Sequence, residues 1–341
     1  MYRYRVRDGS PVFIRGQYLP HYFKKQVWPK DKAALAECKR KISKVRNRRY
    51  IVPGEVKSCT GFFAVPKGKD DIRMVYDATK CGLNAAVWAP NFGLPTIDSV
   101  LRNADGNTWF GDIDLGEMFL NYFLDERVRS YAGVDVRGEF PDSEGYERWE
   151  RSLMGFRPSP FICTQTFGWG EDVIRGDRHD LDNPFRWDKV VLNLPGAERF
   201  DPCLPWVYRL DTVNGRIASF FETYMDDIRT GGASEALTWG ASRRVASVVQ
   251  YLGQQDAPRK RRPPSQTPGA WAGAMCLTDG KGNVLVTCSE EKWLKGRRWI
   301  LMWHEAVCIQ KVESLEFKEL EKGVGFLVYL SRTFPMIFPY I

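Results

Sequence analysis

The stretch Tyr224-Met225-Asp226-Asp227 follows a run of strand-forming residues, Arg216 to Met225, and that context decides how its two acids are read. An Asp-Asp pair is common in turns, whereas the same pair closing an apolar strand is a specific signal. Upstream, Thr108 to Leu115 reads as another strand and ends in Asp112-Ile113-Asp114-Leu115. Asp114 and Asp226 are 112 residues apart, so only a fold brings them together. Acids at adjacent strand ends make a hard-oxygen site suited to magnesium. Two such ions clamp the attacking and leaving oxygens of an in-line phosphoryl displacement. That chemistry needs positioning and charge neutralisation more than a nucleophilic side chain. The scarcity of histidine (His21, His179, His304) fits it, because no triad or His-rich metal site is needed.

Working outward, the pattern is mixed α and β. Phe62 to Val65 and Ile72 to Tyr76 read as strands around the basic turn Lys67-Gly68-Lys69-Asp70-Asp71. Thr96 to Asn103 reads as a short helix, and Pro160 to Val173 as a longer one begun at a Pro-Ser-Pro turn. Asp177 to Leu204 is polar and aperiodic and reads as a long loop. Trp206 to Asp211 reads as a strand paired with the Arg216 run across Val213-Asn214-Gly215, a strong turn signal. Ser242 to Leu252 is helical. Ala270 to Leu277 and Asn283 to Cys288 read as strands, and Ser289 to Ile309 and Glu313 to Arg332 as helices.

The chain has 341 residues, 43% of them hydrophobic and 13% aromatic, enough for a real core and too much for wholesale disorder. Its eight cysteines show no C-x-x-C pair and read as reduced and mostly buried. No apolar leader opens the chain, which points to an intracellular protein without separating cytoplasm from nucleus. Val324 to Ile341 is apolar but holds Arg332, Pro335 and Pro339. It reads as a final helix whose partner lies outside the chain rather than as a membrane span.

The net charge of +8 is concentrated. Lys24 to Arg49 holds eleven basic residues and two acids. Leu35, Cys38, Ile42 and Val45 fall on one helical face of it, with Asp31 as N-cap. Such a helix is either a solvated surface or a phosphate-backbone contact. Arg259-Lys260-Arg261-Arg262, in a Pro-rich loop, carries the same two readings.

Taken together, these stretches resemble the reverse transcriptases of retroelements, from about Asp31 to Arg332. The resemblance rests on Phe63-Ala64-Val65-Pro66-Lys67 with Arg73, Val75 and Asp77; on Leu83-Asn84; and on Gly93-Leu94-Pro95 with Ile97-Asp98. It continues in Asp114-Leu115-Gly116-Glu117-Met118-Phe119, in Met154 to Pro160, and in Tyr224 to Asp227. Pro264-Ser265-Gln266, Trp271-Ala272-Gly273 and Ser289 to Lys292 look closest to tyrosine-recombinase retrotransposons of the DIRS type.

The resemblance implies an α+β right-hand polymerase fold. Residues 1–110 would be an N-terminal arm and fingers. Residues 111–290 would be a palm, an antiparallel sheet with helices on one face, contributing also to the fingers and carrying an insertion at about 176–204. Residues 291–341 would begin a thumb. It also implies an RNA-templated DNA polymerase using two Mg2+ ions, with Mn2+ as an alternative, a primed RNA or DNA template and dNTPs. No membrane is involved, and the oligomeric state stays open. Alternatives are an RNA-templated RNA polymerase and an inactive fragment that only binds nucleic acid.

By resemblance, Asp114 and Asp226 bind metal with Asp227 in support. Lys67 and Arg73 hold the triphosphate, and the aromatic ring of Phe119 blocks a ribose 2′-OH. Gly155, Arg157, Tyr224 and Met225 contact the nucleotide, and Pro160, Trp271 and Gly273 the primer or template. Lys260 falls where the family often has a lysine that protonates pyrophosphate. Met154 stands where retroviral enzymes carry glutamine.

Overall fold

The computed structural model describes residues 9–16, 18–67, 71–279 and 281–341, without the side chain of Lys67. In chain order the strands begin β1 (Phe13–Ile14), β2 (Ile51–Pro53), β3 (Gly61–Lys67), β4 (Asp71–Asp77), β5 (Val87–Trp88), β6 (Trp109–Asp114), β7 (Gly133–Val134) and β8 (Glu147–Trp149). They continue as β9 (Lys189–Leu192), β10 (Val207–Asp211), β11 (Arg216–Ile217), β12 (Phe220–Tyr224), β13 (Asp227–Gly232), β14 (Arg262–Ser265), β15 (Met275–Thr278) and β16 (Val284–Thr287). Two compact units use separated stretches of this order. The first is Met1–Gly93, Gly116–Ile174 and Val248–Gln255; the second is Leu94–Leu115, Arg175–Ser247 and Asp256–Ile341.

In the first unit, β3 and β4 form the expected antiparallel hairpin, in register from Gly61 opposite Asp77 to Lys67 opposite Asp71. The tip, 68–70, lies outside the described residues. Phe62 and Tyr76 face each other across the hairpin and are buried, packing edge-on against Trp28 and Trp149 respectively. The basic helix Lys32–Asn47 begins where Asp31 Oδ1 accepts from the Ala34 backbone N–H at 2.8 Å. It buries Cys38, Ile42 and Val45 as their spacing predicts. The helix Ser159–Arg175 buries Ile162, Cys163, Thr166, Phe167 and Gly170 in the same way. A three-stranded sheet, β2-β8-β7, has no clear periodicity in the sequence because each strand is only two or three residues long.

The second unit is built on an antiparallel sheet of order β12-β13-β6-β14. Its core gathers Ile97, Val100, Phe110, Phe220, Trp271 and Cys276. Gly111 lets a helix lie close: a Cβ there would meet Thr230 Oγ1 at 2.7 Å and Ser242 Oγ at 2.8 Å.

Five expectations change. Asp177 to Leu204 is not all loop, because Lys189–Leu192 forms β9 on a sheet of order β11-β10-β9. Its partner is β10, so a short exposed strand became visible only with that partner. The run Arg216 to Met225 is two strands, with the chain leaving one sheet at Ala218 and entering another at Phe220. The helix expected at Ser242 starts at Glu235, after Ser234 Oγ accepts from the Leu237 N–H. The strand expected from Ala270 starts at Met275, because Trp271 and Ala274 close a tight turn with left-handed Ala272 and Gly273. The Pro-rich basic loop supplies β14, an edge strand, where proline is tolerated.

The final helix, Phe317–Ser331, stops before the prolines and buries Leu327 and Leu330 against Cys288. Met336, Phe338 and Tyr340 beyond it are exposed. All eight cysteines are free, and only Cys203 and Cys308 are exposed. Among the described residues no helix is long and apolar enough to cross a membrane.

Candidate active site

The acids come together because β6 and β13 pair in one register. Asp114 faces Asp227, Ile113 faces Ile228, and Asp112 faces Arg229. Tyr224 pairs with Asp227, so Met225 and Asp226 form a two-residue turn between β12 and β13. Met225 takes φ 55°, as such turns demand. A left-handed non-glycine residue costs about 1–3 kcal/mol and tends to mark functional sites. The Asp226 carbonyl accepts from the Leu115 N–H at 2.7 Å, tying the turn to the end of β6.

Charge is treated differently two residues apart. Arg229 is fully buried; its Nε donates to Asp112 Oδ1 at 2.7 Å and its Nη2 to the Gly269 carbonyl at 2.9 Å. Asp112 is therefore neutralised. Asp114 and Asp227 instead stand opposite each other as like charges, which destabilises a sheet. Asp114 is 9% exposed; its Oδ2 accepts from Lys260 Nζ at 2.6 Å. Its buried Oδ1 has no hydrogen-bond partner among the described residues. Asp227 still reaches solvent, yet its carboxyl is pushed up to about 6 by surrounding protein, then by Asp226 and Asp114, with Lys260 opposing.

The turn Trp271–Ala274 supports this site from within the same unit. Trp271 Nε1 donates to the Asp227 carbonyl at 3.1 Å, and its ring packs edge-on to Tyr224. The Gly273 carbonyl accepts from Lys292 Nζ at 3.0 Å, and a Cβ on Gly273 would lie 2.1 Å from the Tyr329 hydroxyl.

The remaining predicted residues lie in the first unit. Arg73 is exposed on β4, opposite Val65. Lys67 ends β3. Phe119 is half-buried on the 3-10 turn Met118–Asn121. Gly155 takes φ 98°, and a Cβ there would meet the Tyr76 carbonyl oxygen at 2.0 Å, so only glycine fits. Asn84 clamps this turn, donating to the Gly155 carbonyl at 2.9 Å and accepting from the Arg157 N–H at 2.8 Å. Arg157 is exposed, and Pro160 is the second residue of its helix.

Sequence reasoning gave no role to Asn84, Arg229 or Asp112. The signal for the last two was present: each lies two residues from a site acid, on the same face of its strand.

Among the described residues no group of three or more His, Cys, Asp or Glu side chains is gathered to hold a metal ion by itself. Magnesium does not need such a cage, since it is usually held by one or two carboxylates with water and substrate phosphate completing its shell. The orphaned, buried Asp114 Oδ1 beside Asp227 and Asp226 fits that kind of site.

No family model matches the chain. A Caenorhabditis elegans protein described as uncharacterized is 22% identical over 204 residues, 59% of this chain and 14% of its own length. The solved structure of a foamy viral protease–reverse transcriptase in complex with double-stranded DNA superposes with a TM-score of 0.57 at 15% identity. That match covers 93% of this chain and 43% of the viral one. The chain thus has the fold of a reverse transcriptase structure, and it spans under half the length of either protein.

Proposed function

We propose that the chain is the polymerase core of a retroelement, adding dNTPs to a primer 3′-OH on an RNA or DNA template. The observation that carries this reading is the register that sets Asp114 opposite Asp227, with Asp226 on the adjoining turn. Asp114 and Asp226, supported by Asp227, would hold two Mg2+ ions, or Mn2+. Bound there, the ions supply neutralisation of charge developing on the transferred phosphoryl group.

The chain's own residues do the rest. Arg229 removes the Asp112 charge, so the negative field centres on the strand ends. Trp271 fixes the Asp227 backbone, and Arg73 with Lys67 is assigned to the triphosphate, which Arg can grip bidentately. Phe119 is assigned to exclusion of the ribose 2′-OH. The turn of Gly155 and Arg157, with Tyr224 and Met225, is assigned to the nucleotide. Pro160 and the Trp271–Gly273 turn are assigned to primer and template. In this reading 1–110, 111–290 and 291–341 serve as fingers, palm and the start of a thumb. The DIRS-type assignment rests on the quoted motifs alone. The duplex in the foamy viral structure supports a primer–template ligand.

Extension of a DNA primer on an RNA template by the purified chain, with dNTPs and Mg2+, tests the reading. Elongated primer is expected. Elongation only with ribonucleotides would reassign the chain to RNA synthesis, and none with either would leave a nucleic-acid-binding fragment.

A further inference from the structure

The site already holds a cation, Lys260, paired with Asp114 and acting on Asp227. Lys260 ends the short 3-10 turn Pro258–Lys260, and the base of that turn is tied to β6. The Ala257 N–H donates to the Asp114 carbonyl at 3.1 Å, and Asp256 bridges Leu115. The backbone is anchored, while the side chain remains 47% exposed and reaches Asp114 through Nζ alone.

The neighbouring Arg229–Asp112 pair has the opposite design. Arg229 is fully buried and held by two acceptors, the Asp112 carboxylate on β6 and the Gly269 carbonyl in the loop after β14. A buried guanidinium in that geometry is built to stay. Lys260 is a flexible ammonium with one ionic partner among the described residues, set beside an acid whose second oxygen is buried without a hydrogen bond. A single positive charge also under-compensates two facing carboxylates, Asp114 and Asp227. A divalent ion at the same place would match them better and would use the orphaned Oδ1.

We infer that Lys260 is an exchangeable counter-ion. Its ammonium holds Asp114 in place in the metal-free protein, and it is expelled into solvent when a divalent cation binds. This rests on the reading of Asp114 and Asp226 as metal-holding acids. Metal uptake and lysine release are then one exchange, and the apparent metal affinity is lowered by the fraction of time the pair is closed. If the pair is closed about nine-tenths of the time, the penalty is about tenfold. The released ammonium is left needing an anionic partner, which a nucleoside triphosphate would supply. Cation binding and nucleotide binding would therefore favour each other.

The test uses the full chain without nucleic acid or nucleotide. Mn2+ binding, followed by electron paramagnetic resonance, should tighten about tenfold in Lys260→Met and stay at or above the parent Kd in Lys260→Arg. In parallel, acetylation of Lys260, quantified by mass spectrometry, should rise severalfold when Mg2+ is saturating. Labelling of the distant Lys322, paired with Glu319, should not change. An unchanged Kd in Lys260→Met overturns the exchange. Tighter binding without a change in Lys260 labelling also overturns it, because that is a remote charge effect. Asp114→Asn tests the underlying reading separately: if it binds Mn2+ as the parent does, the metal site itself is misassigned.

Discussion

The basic helix Lys32–Asn47 and the acidic ends of β6 and β13 both concentrate charge of one sign, and the fold treats them in opposite ways. Around the helix it supplies partners. Lys39 meets Glu139, Arg40 meets Glu37, Lys41 meets Asp71, and Arg46 meets Asp142 and Glu147. Lys44 and Arg48 both meet Glu117. Six of the eleven cations between Lys24 and Arg49 are thus paired within their own unit. At the strand ends the fold does the reverse and sets Asp114 opposite Asp227 as like charges, with Lys260 paired to Asp114. A charge run counted along the sequence is therefore weak evidence for a site. Charge that the fold concentrates and leaves under-compensated is stronger evidence, because it survives only where something else offsets its cost.

The comparison breaks most visibly at the acids. Asp114→Asn or Asp226→Asn should lower primer extension by about a thousandfold or more, about 4 kcal/mol of transition-state stabilisation, while primer–template binding stays near the parent. Substantial residual extension would remove the distinction between the two regions. Next in size is Phe119→Val. An aromatic wall leaves a ribose hydroxyl unpaired at about 1–3 kcal/mol. The ratio of kcat/KM for dGTP to that for GTP should fall by about tenfold, with dGTP use changing less. An equal ratio in both proteins returns Phe119 to packing.

The helix gives a smaller effect. Four free cations on phosphate would contribute about 3.6 to the slope of log affinity against log salt. Because they are paired, replacing Lys39, Arg40, Lys44 and Arg48 by glutamine should flatten that slope by about 1–2. Glu117→Gln, which frees Lys44 and Arg48, should steepen it. Anisotropy titrations between 50 and 200 mM salt, about the range over which such slopes are read, measure both. If neither variant moves the slope, the helix is a structural ion-pair ladder. The smallest effect is at the thiols under the two regions. Burial raises Cys38 behind the helix and pushes Cys276 behind the sheet up to about 11. A disulfide reagent at mildly alkaline pH should modify Cys203 and Cys308 quickly, and the six buried thiols only on unfolding.

Local chemistry carried much of this into the sequence. The β3–β4 hairpin was legible because two strand-forming runs, Phe62 to Val65 and Ile72 to Tyr76, flank a basic turn, and the basic helix because Asp31 and the Cys38–Ile42–Val45 stripe are local signals. The acid constellation was legible because Tyr-Met-Asp-Asp closes an apolar strand. What stayed hidden depends on partners far away in sequence. β9 needs β10, β14 reads as a Pro-rich loop until β6 is beside it, and Arg229 is an ordinary strand cation until Asp112 faces it. The ion pairs of the helix were hidden for the same reason, since only Glu37 among the acids it meets lies in its own run.

The interleaving of the two units has a consequence in time. The first unit opens with Met1–Gly93 and is completed only by Val248–Gln255, where Gln254 Nε2 donates to the Tyr122 hydroxyl at 2.8 Å. At about 5–20 residues per second of synthesis, roughly 8–30 s separate those two segments as they are made. The second unit waits longer still, for Asp256–Ile341. During that interval the growing chain carries apolar faces of both units unpaired, and a ribosome that stops after Ser247 releases a product in which neither unit is whole.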